Sequence, residues 1–366
     1  MKETFRQTIE RLKLLFAEKK WLWGVVAGVV VSSTLLTYWI GTRLANRDAS
    51  GEAITLQDSQ NLPENAEELN TLTVLLLGFG GAGHSGGTLS DVLQVARLDF
   101  DHNKLILISI PRDSWVTLPG GVESKINGAY SRDLQSGDEE ATTAKNMAQV
   151  ITGFPIDYYI ALDFVGFERI IGEELGGIDV EVATPMTDPW YPIKGEEVNL
   201  CGKSPQEMQE IHANYSGFEL EKQFECRYET IYYPAGTNHM QGGEALKYVR
   251  SRHGTPGGDF ARGVRQQEVL AGIRDKLFTL EGVSNIPRVF QQFAAHTNTD
   301  LDAEIAEFLW PAIKGSRDFE TIRVQLSTEN VLTGGNIGGA SVVLPRDSWQ
   351  AVQNYVQQQI NEQLAN

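Results

Sequence analysis

An uncharged stretch of twenty residues near the N-terminus constrains this chain more than any other feature. Residues Trp21 to Ile40 read WLWGVVAGVVVSSTLLTYWI, with aromatic residues at both ends. An apolar run of about twenty residues is long enough to cross a bilayer as a helix, and aromatic residues are enriched at both membrane interfaces. The sequence therefore predicts one transmembrane helix, a membrane anchor over residues 21–41.

The charges on either side of this run predict its orientation. Six Lys and Arg residues precede it, whereas only Arg43 and Arg47 follow it closely. The more basic flank of a transmembrane helix usually lies in the cytoplasm. We therefore expect a single-pass protein of the cell membrane, with a cytoplasmic tail over residues 1–20 and an extracytoplasmic domain. A cleaved signal peptide is the alternative, although its apolar region is usually only about 7 to 15 residues long.

The composition beyond the anchor limits the classes of protein that fit. Residues 42–70 are polar and acidic with little periodicity, which is typical of a linker. The remaining residues, 71–366, can bury one large core or two ordinary ones. The chain has 31 basic and 48 acidic residues and a net charge of −17. This acidity argues against nucleic-acid binding, which usually requires a basic surface.

Both cysteines lie in residues 185–233, where the regular alternation of predicted elements stops. We interpret this segment as an inserted loop region. In an oxidising compartment, Cys201 and Cys226 are expected to form a disulfide worth about 3 kcal/mol. Two buried free thiols are the alternative. No Cys/His spacing typical of a zinc site is present.

Apolar runs predict the fold class. Thr73 to Gly78, TVLLLG, is typical of a buried strand. Val92–Phe100 and Leu105–Ile110 predict an antiparallel hairpin across a short polar gap. Further strands are predicted at 158–163 and 178–182, and helices at 144–151, 164–175, 243–249 and 260–280. This alternation predicts an α/β domain with helices packed on a mostly buried sheet.

A glycine motif after the first strand suggests a dinucleotide-binding site, but its context does not fit. Gly78, Gly80 and Gly83 have the fingerprint spacing, and Asp99 lies about twenty residues further on. A Rossmann turn must open a helix whose N-terminus faces the pyrophosphate. Here the segment HSGGTLSD leads into another predicted strand. We therefore interpret the glycines as a flexible or tightly turning loop beside a site.

Arginines are concentrated in one segment of this acidic chain. Residues 248–267 read YVRSRHGTPGGDFARGVRQQ and contain Arg250, Arg252, Arg262 and Arg265. The last two share a face in the opening turns of a predicted helix, where an anion would be stabilised by the helix dipole. Forked guanidinium donors match phosphate oxygens, so the segment predicts a diphosphate site. A solvated face, with these arginines paired to acids of their own helix, is the alternative.

Two further segments predict the same site. Arg112 and Asp113 follow the predicted strand at 105–110, at the carboxyl edge of the sheet, where α/β folds usually bind ligands. Asp91 lies across the hairpin, and a carboxylate near phosphate-binding arginines is a natural ligand of Mg²⁺. Arginines and Mg²⁺ together would stabilise charge on a transferring phosphoryl group. Asp91 and Asp113 are both candidates for accepting a proton.

Several ordered motifs over about Leu72 to Leu280 resemble the LytR-CpsA-Psr domain. They are LLLG, Ser-Asp before a strand, SIPRD, KIN, IDYYIALDFVGFERII, LGGIDVEV, and YVRSR followed by DFARGVRQQ. The resemblance implies a three-layer α/β/α domain with a mixed central sheet over 71–366, with a closing strand and helix near 320–360. It also implies an extracytoplasmic Mg²⁺-dependent phosphotransferase that moves a glycan from a polyprenyl-diphosphate carrier to peptidoglycan or another envelope acceptor.

The resemblance also implies roles for single residues. The metal-binding aspartate would be Asp91. Family members often carry an Asp after LLLG and an Arg before Ser-Asp, where this chain has GFGGAG and Gly-Gly-Thr-Leu. The second metal ligand and one phosphate contact therefore have no counterpart, and His84 is a candidate substitute. The implied diphosphate-binding residues are Arg112, Lys125, Arg250, Arg252, Arg262, Arg265 and Gln266.

Two other functions fit the same residues. A pyrophosphatase would hydrolyse prenyl diphosphates with water as the acceptor. An anchored, non-enzymatic regulatory protein would bind polyprenyl phosphate without turnover. Dependence of the product on peptidoglycan would distinguish the transferase from a pyrophosphatase. Mg²⁺-dependent loss of the glycan donor would distinguish it from a non-enzymatic binding protein.

Overall fold

The computed structural model describes residues 69–84, 86–253, 259–279, 293–294 and 296–365. The predicted cytoplasmic tail, the predicted anchor and most of the predicted linker lie outside these residues. Among the helices that are described, none has both the length and the apolar character needed to cross a bilayer.

Strands and helices alternate along most of the described chain, as the apolar runs predict. The strands are β1 (Thr71–Phe79), β2 (Ser90–Asp99), β3 (Lys104–Ser109), β4 (Trp115–Leu118), β5 (Val122–Lys125), β6 (Tyr158–Asp163), β7 (Ile178–Val182), β8 (Met186–Pro192), β9 (Tyr228–Tyr233), β10 (Gly236–Met240), β11 (Thr297–Thr299), β12 (Glu320–Gln325), β13 (Leu332–Ile337) and β14 (Ala340–Pro345). The helices are α1 (Ala129–Ser136), α2 (Thr142–Thr152), α3 (Phe164–Arg169), α4 (Pro205–Asn214), α5 (Gly217–Glu221), α6 (Gly242–Arg250), α7 (Asp259–Thr279), α8 (Ala303–Gly315) and α9 (Trp349–Leu364).

A six-stranded mixed sheet holds the described domain together. Its strands lie in the order β11-β6-β1-β2-β3-β12. β2 is antiparallel to both β1 and β3, as the predicted hairpin requires, and β11 is antiparallel to β6. β1 pairs in parallel with β6, and β3 pairs in parallel with β12. The predicted closing strand and helix are β12 and α9.

The sheet is covered by helices on both faces. Successive side chains of a strand point to opposite faces, so Leu75 and Leu72 face different layers. Leu75 belongs to a core that it shares with side chains of α2 and α9. On the other face Leu72 packs with Leu309 of α8, and Gln267 of α7 donates to the backbone oxygen of Leu107 in β3 at 3.3 Å. These contacts confirm the α/β/α layers.

Residues 185–233, predicted as an inserted loop region, contain strands and helices as well as loops. Their ends pair as the antiparallel strands β8 and β9, and α4 and α5 lie between them. A disulfide joins Cys201 to Cys226, as predicted, with Cα atoms 5.7 Å apart. The prolines of β8 suggest a turn, but Pro189 falls where the ladder is irregular, a position that tolerates proline. We call residues 185–233 the disulfide-bonded insert.

The glycine-rich loop turns tightly from β1 into β2. Gly81 donates from its amide to the backbone oxygen of Gly87 at 2.8 Å. A Cβ at Gly87 would lie 2.2 Å from the oxygen of Gly81, so no larger residue fits there. Because a strand and not a helix follows, a Rossmann turn is excluded here, as the sequence predicts.

Candidate active site

The register of β2 and β3 places Asp91 beside Arg112. Gln94 pairs with Ser109 in the antiparallel ladder, and three residues beyond that pair, towards the same edge, stand Asp91 and Arg112. The guanidinium Nη1 of Arg112 donates to Oδ1 of Asp91. The structure therefore brings together the two residues that the sequence places across the hairpin from each other.

Helix α7 brings a second guanidinium to the same aspartate. Nη2 of Arg262 donates to the backbone oxygen of Asp91 at 3.0 Å and lies 3.7 Å from its Oδ1. Arg262 is only 3% exposed, so it does not belong to a solvated charged face. Arginines from two distant parts of the chain thus converge on one carboxylate.

The second candidate acid, Asp113, is paired with Lys125. Nζ of Lys125 donates to Oδ1 of Asp113 at 2.6 Å, and Nε of Arg112 lies 3.8 Å from Oδ2 of Asp113. The cluster formed by Asp91, Arg112, Asp113, Lys125 and Arg262 has three positive and two negative side chains, a net charge of +1. We call these five residues the arginine–aspartate cluster. Its surplus positive charge favours an anionic ligand.

Arg265 occupies a different position from its neighbour on α7. Its guanidinium donates from Nε to the backbone oxygen of Tyr248 at 2.9 Å and from Nη2 to that of Ser251. These carbonyls lie at the C-terminal end of α6, where a cation is favourable. Arg265 therefore fixes the exit of α6, from which Arg250 and Arg252 project. Its role as a diphosphate ligand remains a prediction.

Arg250 lies against aromatic side chains. Its guanidinium carbon is 4.2 Å from the ring centroid of Phe164, and the ring of His84 contacts the same Phe164 edge-on at 5.2 Å. Burial raises the pKa of the Tyr191 hydroxyl, while the charge and hydrogen bond of Arg250 lower it. Arg252 is exposed. Arg250 is thus held in place, whereas Arg252 is open to solvent.

Two cavities meet at the arginine–aspartate cluster, and both are lined by Asp91 and Arg262. The sheet-edge cavity, of about 310 Å³, lies between the end of β3, α7 and the β13–β14 hairpin. The insert cavity, of about 240 Å³, lies between the exit of α6 and the disulfide-bonded insert. The predicted site residues lining the first are also Arg112, Asp113 and Gln266, and those lining the second are Arg250 and Arg252.

The surroundings of Asp91 fit a magnesium site with few protein ligands. Among the described residues, no three His, Cys, Asp or Glu side chains form a group that could hold a metal. Mg²⁺ commonly binds through one or two carboxylates, with waters and substrate phosphates completing its shell. Asp91 contacts the two arginines through Oδ1 and lines both cavities. A carboxylate that lines a cavity beside arginines, as Asp91 does, is compatible with this mode of binding.

Asp188 is a site residue that the sequence did not reveal. It is 1% exposed, and its Oδ2 accepts from Oγ of Ser251 at 2.7 Å and from the amide of His253 at 3.3 Å. Its Oδ1 accepts from the amide of Trp190 at 2.8 Å. Asp188 thus ties the insert to the turn that carries Arg252. In the sequence, an Asp before Pro is indistinguishable from an ordinary turn residue.

The fold and the site define an α/β protein with arginines gathered around an aspartate at a sheet edge, an arrangement whose net positive charge suits an anionic ligand. The chain belongs to the LytR_cpsA_psr family, whose model matches residues 41–362. The resemblance seen in the motifs is thereby confirmed.

Curated relatives and a solved structure are similar to this chain over most of its length. The polyisoprenyl-teichoic acid–peptidoglycan teichoic acid transferase TagV of Bacillus subtilis is 28% identical over 304 residues, 81% of this chain and 65% of TagV. The transferase of the same description named TagU, from Bacillus anthracis, is 25% identical over 292 residues, 79% of each chain. The crystal structure of B. subtilis TagV matches with a TM-score of 0.52 and 24% identity, covering 80% of this chain and 98% of that chain. This likeness supports the α/β fold with a mixed sheet.

Proposed function

We propose that this protein is a membrane-anchored, extracytoplasmic, Mg²⁺-dependent phosphotransferase that moves a glycan from a polyprenyl-diphosphate carrier to peptidoglycan or another envelope acceptor. The observation that carries the proposal is the convergence of Arg112 and Arg262 on Asp91, between two cavities. The names of the two relatives, both teichoic acid transferases, support the class of reaction.

The charge of the cluster suits a diphosphate. Linked phosphates carry at least two negative charges, and the arginine–aspartate cluster has a net charge of +1 before Arg250 and Arg252 are counted. Arginine donates in a fork that matches phosphate oxygens. Because Arg262 is buried, its attraction for an anion is screened less by water than at an exposed site.

The lipid end of the donor is proposed to lie in the sheet-edge cavity. Apolar side chains form much of its wall, and they are Leu93, Ile110, Phe260, Val342 and Val343. An apolar wall favours an isoprenoid chain over a hydrated glycan. The diphosphate would then lie at Asp91 and Arg262, where the two cavities meet.

The proposed reaction is a displacement at phosphorus. An acceptor sugar hydroxyl attacks the glycan-linked phosphorus, the bond from that phosphorus to the bridging oxygen breaks, and polyprenyl phosphate leaves. The glycan is left joined to the acceptor through a phosphodiester, and the hydroxyl proton passes to Asp91 or Asp113, which both line the sheet-edge cavity. Arg112 and Arg262 stabilise the charge that develops on the leaving phosphate. Mg²⁺ held by Asp91 would add to this stabilisation.

The experiment that tests the proposal follows both products. Full-length protein is incubated with a polyprenyl-diphosphate donor labelled in its glycan, with or without peptidoglycan, in Mg²⁺ or in EDTA. We expect label in peptidoglycan and an equal amount of polyprenyl phosphate, both only with Mg²⁺. Equal donor cleavage without peptidoglycan would instead indicate a pyrophosphatase, and binding of donor without cleavage would indicate a binding protein.

A further inference from the structure

The disulfide-bonded insert forms one wall of the insert cavity. Three aromatic side chains of the insert, Trp190, Tyr191 and Tyr228, line it together with Arg250 and Arg262. The proposed diphosphate site therefore has an aromatic surface directly beside it. The proposed transfer of phosphate assigns no role to this surface.

The insert holds its aromatic wall in a defined place. The disulfide ends two residues before Tyr228, at Cys226, and Nε of Arg227 donates to the backbone oxygen of Asn199 at 2.7 Å. On the other strand, the buried Asp188 accepts the amide of Trp190. Both strands that carry the aromatic residues are thus fixed to neighbouring segments.

The aromatic rings also fix one another. The ring of Trp190 contacts Phe218 at 5.7 Å and Tyr228 at 5.6 Å, both in edge-to-face arrangements. The ring of His253 stacks on Phe218 with centroids 4.0 Å apart and planes inclined by 8°. Such pairs stabilise a defined orientation of each ring. Trp190 is nevertheless half-buried rather than buried, so it contributes to the cavity surface.

The mixture of groups in this cavity fits a sugar ring better than a lipid. The C–H face of a pyranose packs on an aromatic ring, while its hydroxyls need hydrogen-bonding partners. Arg252, His253 and Glu221 supply such partners at the same cavity. An isoprenoid would instead leave these charged groups poorly solvated, which is unfavourable. The volume of about 240 Å³ is below the roughly 300–1,000 Å³ of pockets for drug-sized ligands, which suits a single sugar unit.

We propose that the insert cavity is a sugar-binding subsite in which Trp190 and Tyr228 contact a pyranose ring placed beside the diphosphate at Arg262. The proposal rests on the proposed function and specifies where carbohydrate binds. The ring belongs either to the acceptor or to the glycan of the donor, because both present the same chemistry. Kinetic measurements on each substrate distinguish the two sources.

Trp190→Ala in the full-length protein tests the subsite. We expect the KM of the substrate that places its sugar there to rise by about tenfold or more, a change of about 1.4 kcal/mol in binding. A rise in the KM for peptidoglycan fragments alone assigns the acceptor, and a rise in the KM for the lipid-linked donor alone assigns the donor. Trp190→Phe should recover most of the affinity. Unchanged KM values for both substrates in Trp190→Ala would overturn the proposal.

Tyr232→Ala is the matched control. Tyr232 is an aromatic residue of β9 that is 62% exposed and does not line the insert cavity. Its substitution should leave both KM values at the wild-type level. Non-reducing mass analysis and thermal unfolding of Trp190→Ala must show an intact disulfide and an unchanged Tm, which separates loss of the ring from loss of the insert.

A binding measurement separates failure of the subsite from failure of the proposed function. Equilibrium dialysis of the full-length protein uses two soluble probes, an N-acetylglucosamine–N-acetylmuramic acid disaccharide and the delipidated glycan phosphate of the donor. Binding of either probe that is lost in Trp190→Ala and kept in Tyr232→Ala supports the subsite, even if no transfer occurs. If neither probe binds while transfer does occur, the subsite is wrong and the proposed function stands.

Discussion

Arg262 and Arg265 stand three residues apart on one helix, yet they serve different parts of the site. Arg262 reaches Asp91, whereas Arg265 donates to carbonyls at the end of α6. The sequence predicts their shared face, because residues three apart are neighbours on a helix. It cannot predict their partners, which lie on segments distant in the chain and are chosen by the packing of α7.

Replacing either arginine of the cluster should abolish most of the activity. Arg112→Ala and Arg262→Ala each remove a guanidinium group that is proposed to stabilise the transferring phosphate, and we expect the transfer rate to fall by about 10²-fold or more. Asp91 keeps the other arginine as a partner in each variant, so both variants should fold. Their circular dichroism spectra should match that of the wild type. Arg323→Ala, at an exposed position of β12, is the control and should be fully active. Wild-type activity in Arg112→Ala or Arg262→Ala would remove that residue from the mechanism.

Asp188→Ala should reduce both the stability of the protein and its affinity for the lipid-linked glycan substrate. The substitution leaves the buried hydroxyl of Ser251 and the partly buried amides of His253 and Trp190 without their acceptor. An unsatisfied buried donor costs about 1–3 kcal/mol, which urea denaturation can measure. The turn that carries Arg252 should move, so the KM for the lipid-linked glycan substrate should rise. Asp179→Ala removes a carboxylate that is 70% exposed and should change neither quantity; equal effects in both variants would argue against a specific role for Asp188.

At the scale of elements, the sequence predicted the strands and helices that have long apolar patterns. It did not predict the pairing of short strands. β6 and β7 have the bounds that their patterns predict, and the bounds of α7 differ from the prediction by one residue at each end. The hairpin β4–β5 turns through Gly120 and Gly121, both with positive φ, but its strands are too short to give a pattern. β8 and β9 pair across about forty residues of chain, a distance over which local periodicity carries no information.

Gly272 shows how close packing overrides helix propensity on α7. Alanine is favoured over glycine within a helix by about 1 kcal/mol, but a Cβ here would lie 2.6 Å from the backbone oxygen of Asp179. We expect Gly272→Ala to destabilise the protein by about 1–3 kcal/mol because α7 must move away from β7. Gly315→Ala, at a position with no atom within 4 Å of the added carbon, should not destabilise. A Tm for Gly272→Ala at or above the wild-type value would contradict the close contact.

The disulfide should stabilise the insert more than the central sheet. Replacing Cys201 and Cys226 by Ser opens a loop with a sequence separation of 25, which costs about 3 kcal/mol by loop entropy. Limited proteolysis should then cut between residues 201 and 226 at protease concentrations that leave the wild type intact. The six-stranded sheet should resist cleavage in both proteins. Equal protease resistance of the insert in both would show that packing alone holds it.

At the scale of the whole molecule, the fold class and the family follow from the sequence because they depend on the order of motifs. The arginine–aspartate cluster follows in part, since strand register brings Asp91 to Arg112. The insert cavity does not, because its walls come from β8, β9 and the exit of α6, which only the folded chain brings together. The sequence therefore predicted the arginines and Asp91 but not the aromatic wall beside them.

The orientation of the chain in the membrane is a prediction for the intact protein. Because the basic flank precedes Trp21–Ile40, protease added outside cells with permeable walls should digest the domain beyond residue 70. A tag at the N-terminus should remain protected until the membrane is dissolved. The reverse pattern, with a protected C-terminal domain, would contradict an extracytoplasmic site.

The proposed mechanism requires a pair of linked phosphates to bind between Arg112 and Arg262. Calorimetric titration of the full-length protein in Mg²⁺ with geranyl diphosphate and with geranyl monophosphate measures this directly. We predict that the diphosphate binds at least about tenfold more tightly, a difference of about 1.4 kcal/mol, and that Arg262→Ala loses this preference while Arg323→Ala retains it. Equal affinities for the two ligands, or an undiminished preference in Arg262→Ala, would contradict the account.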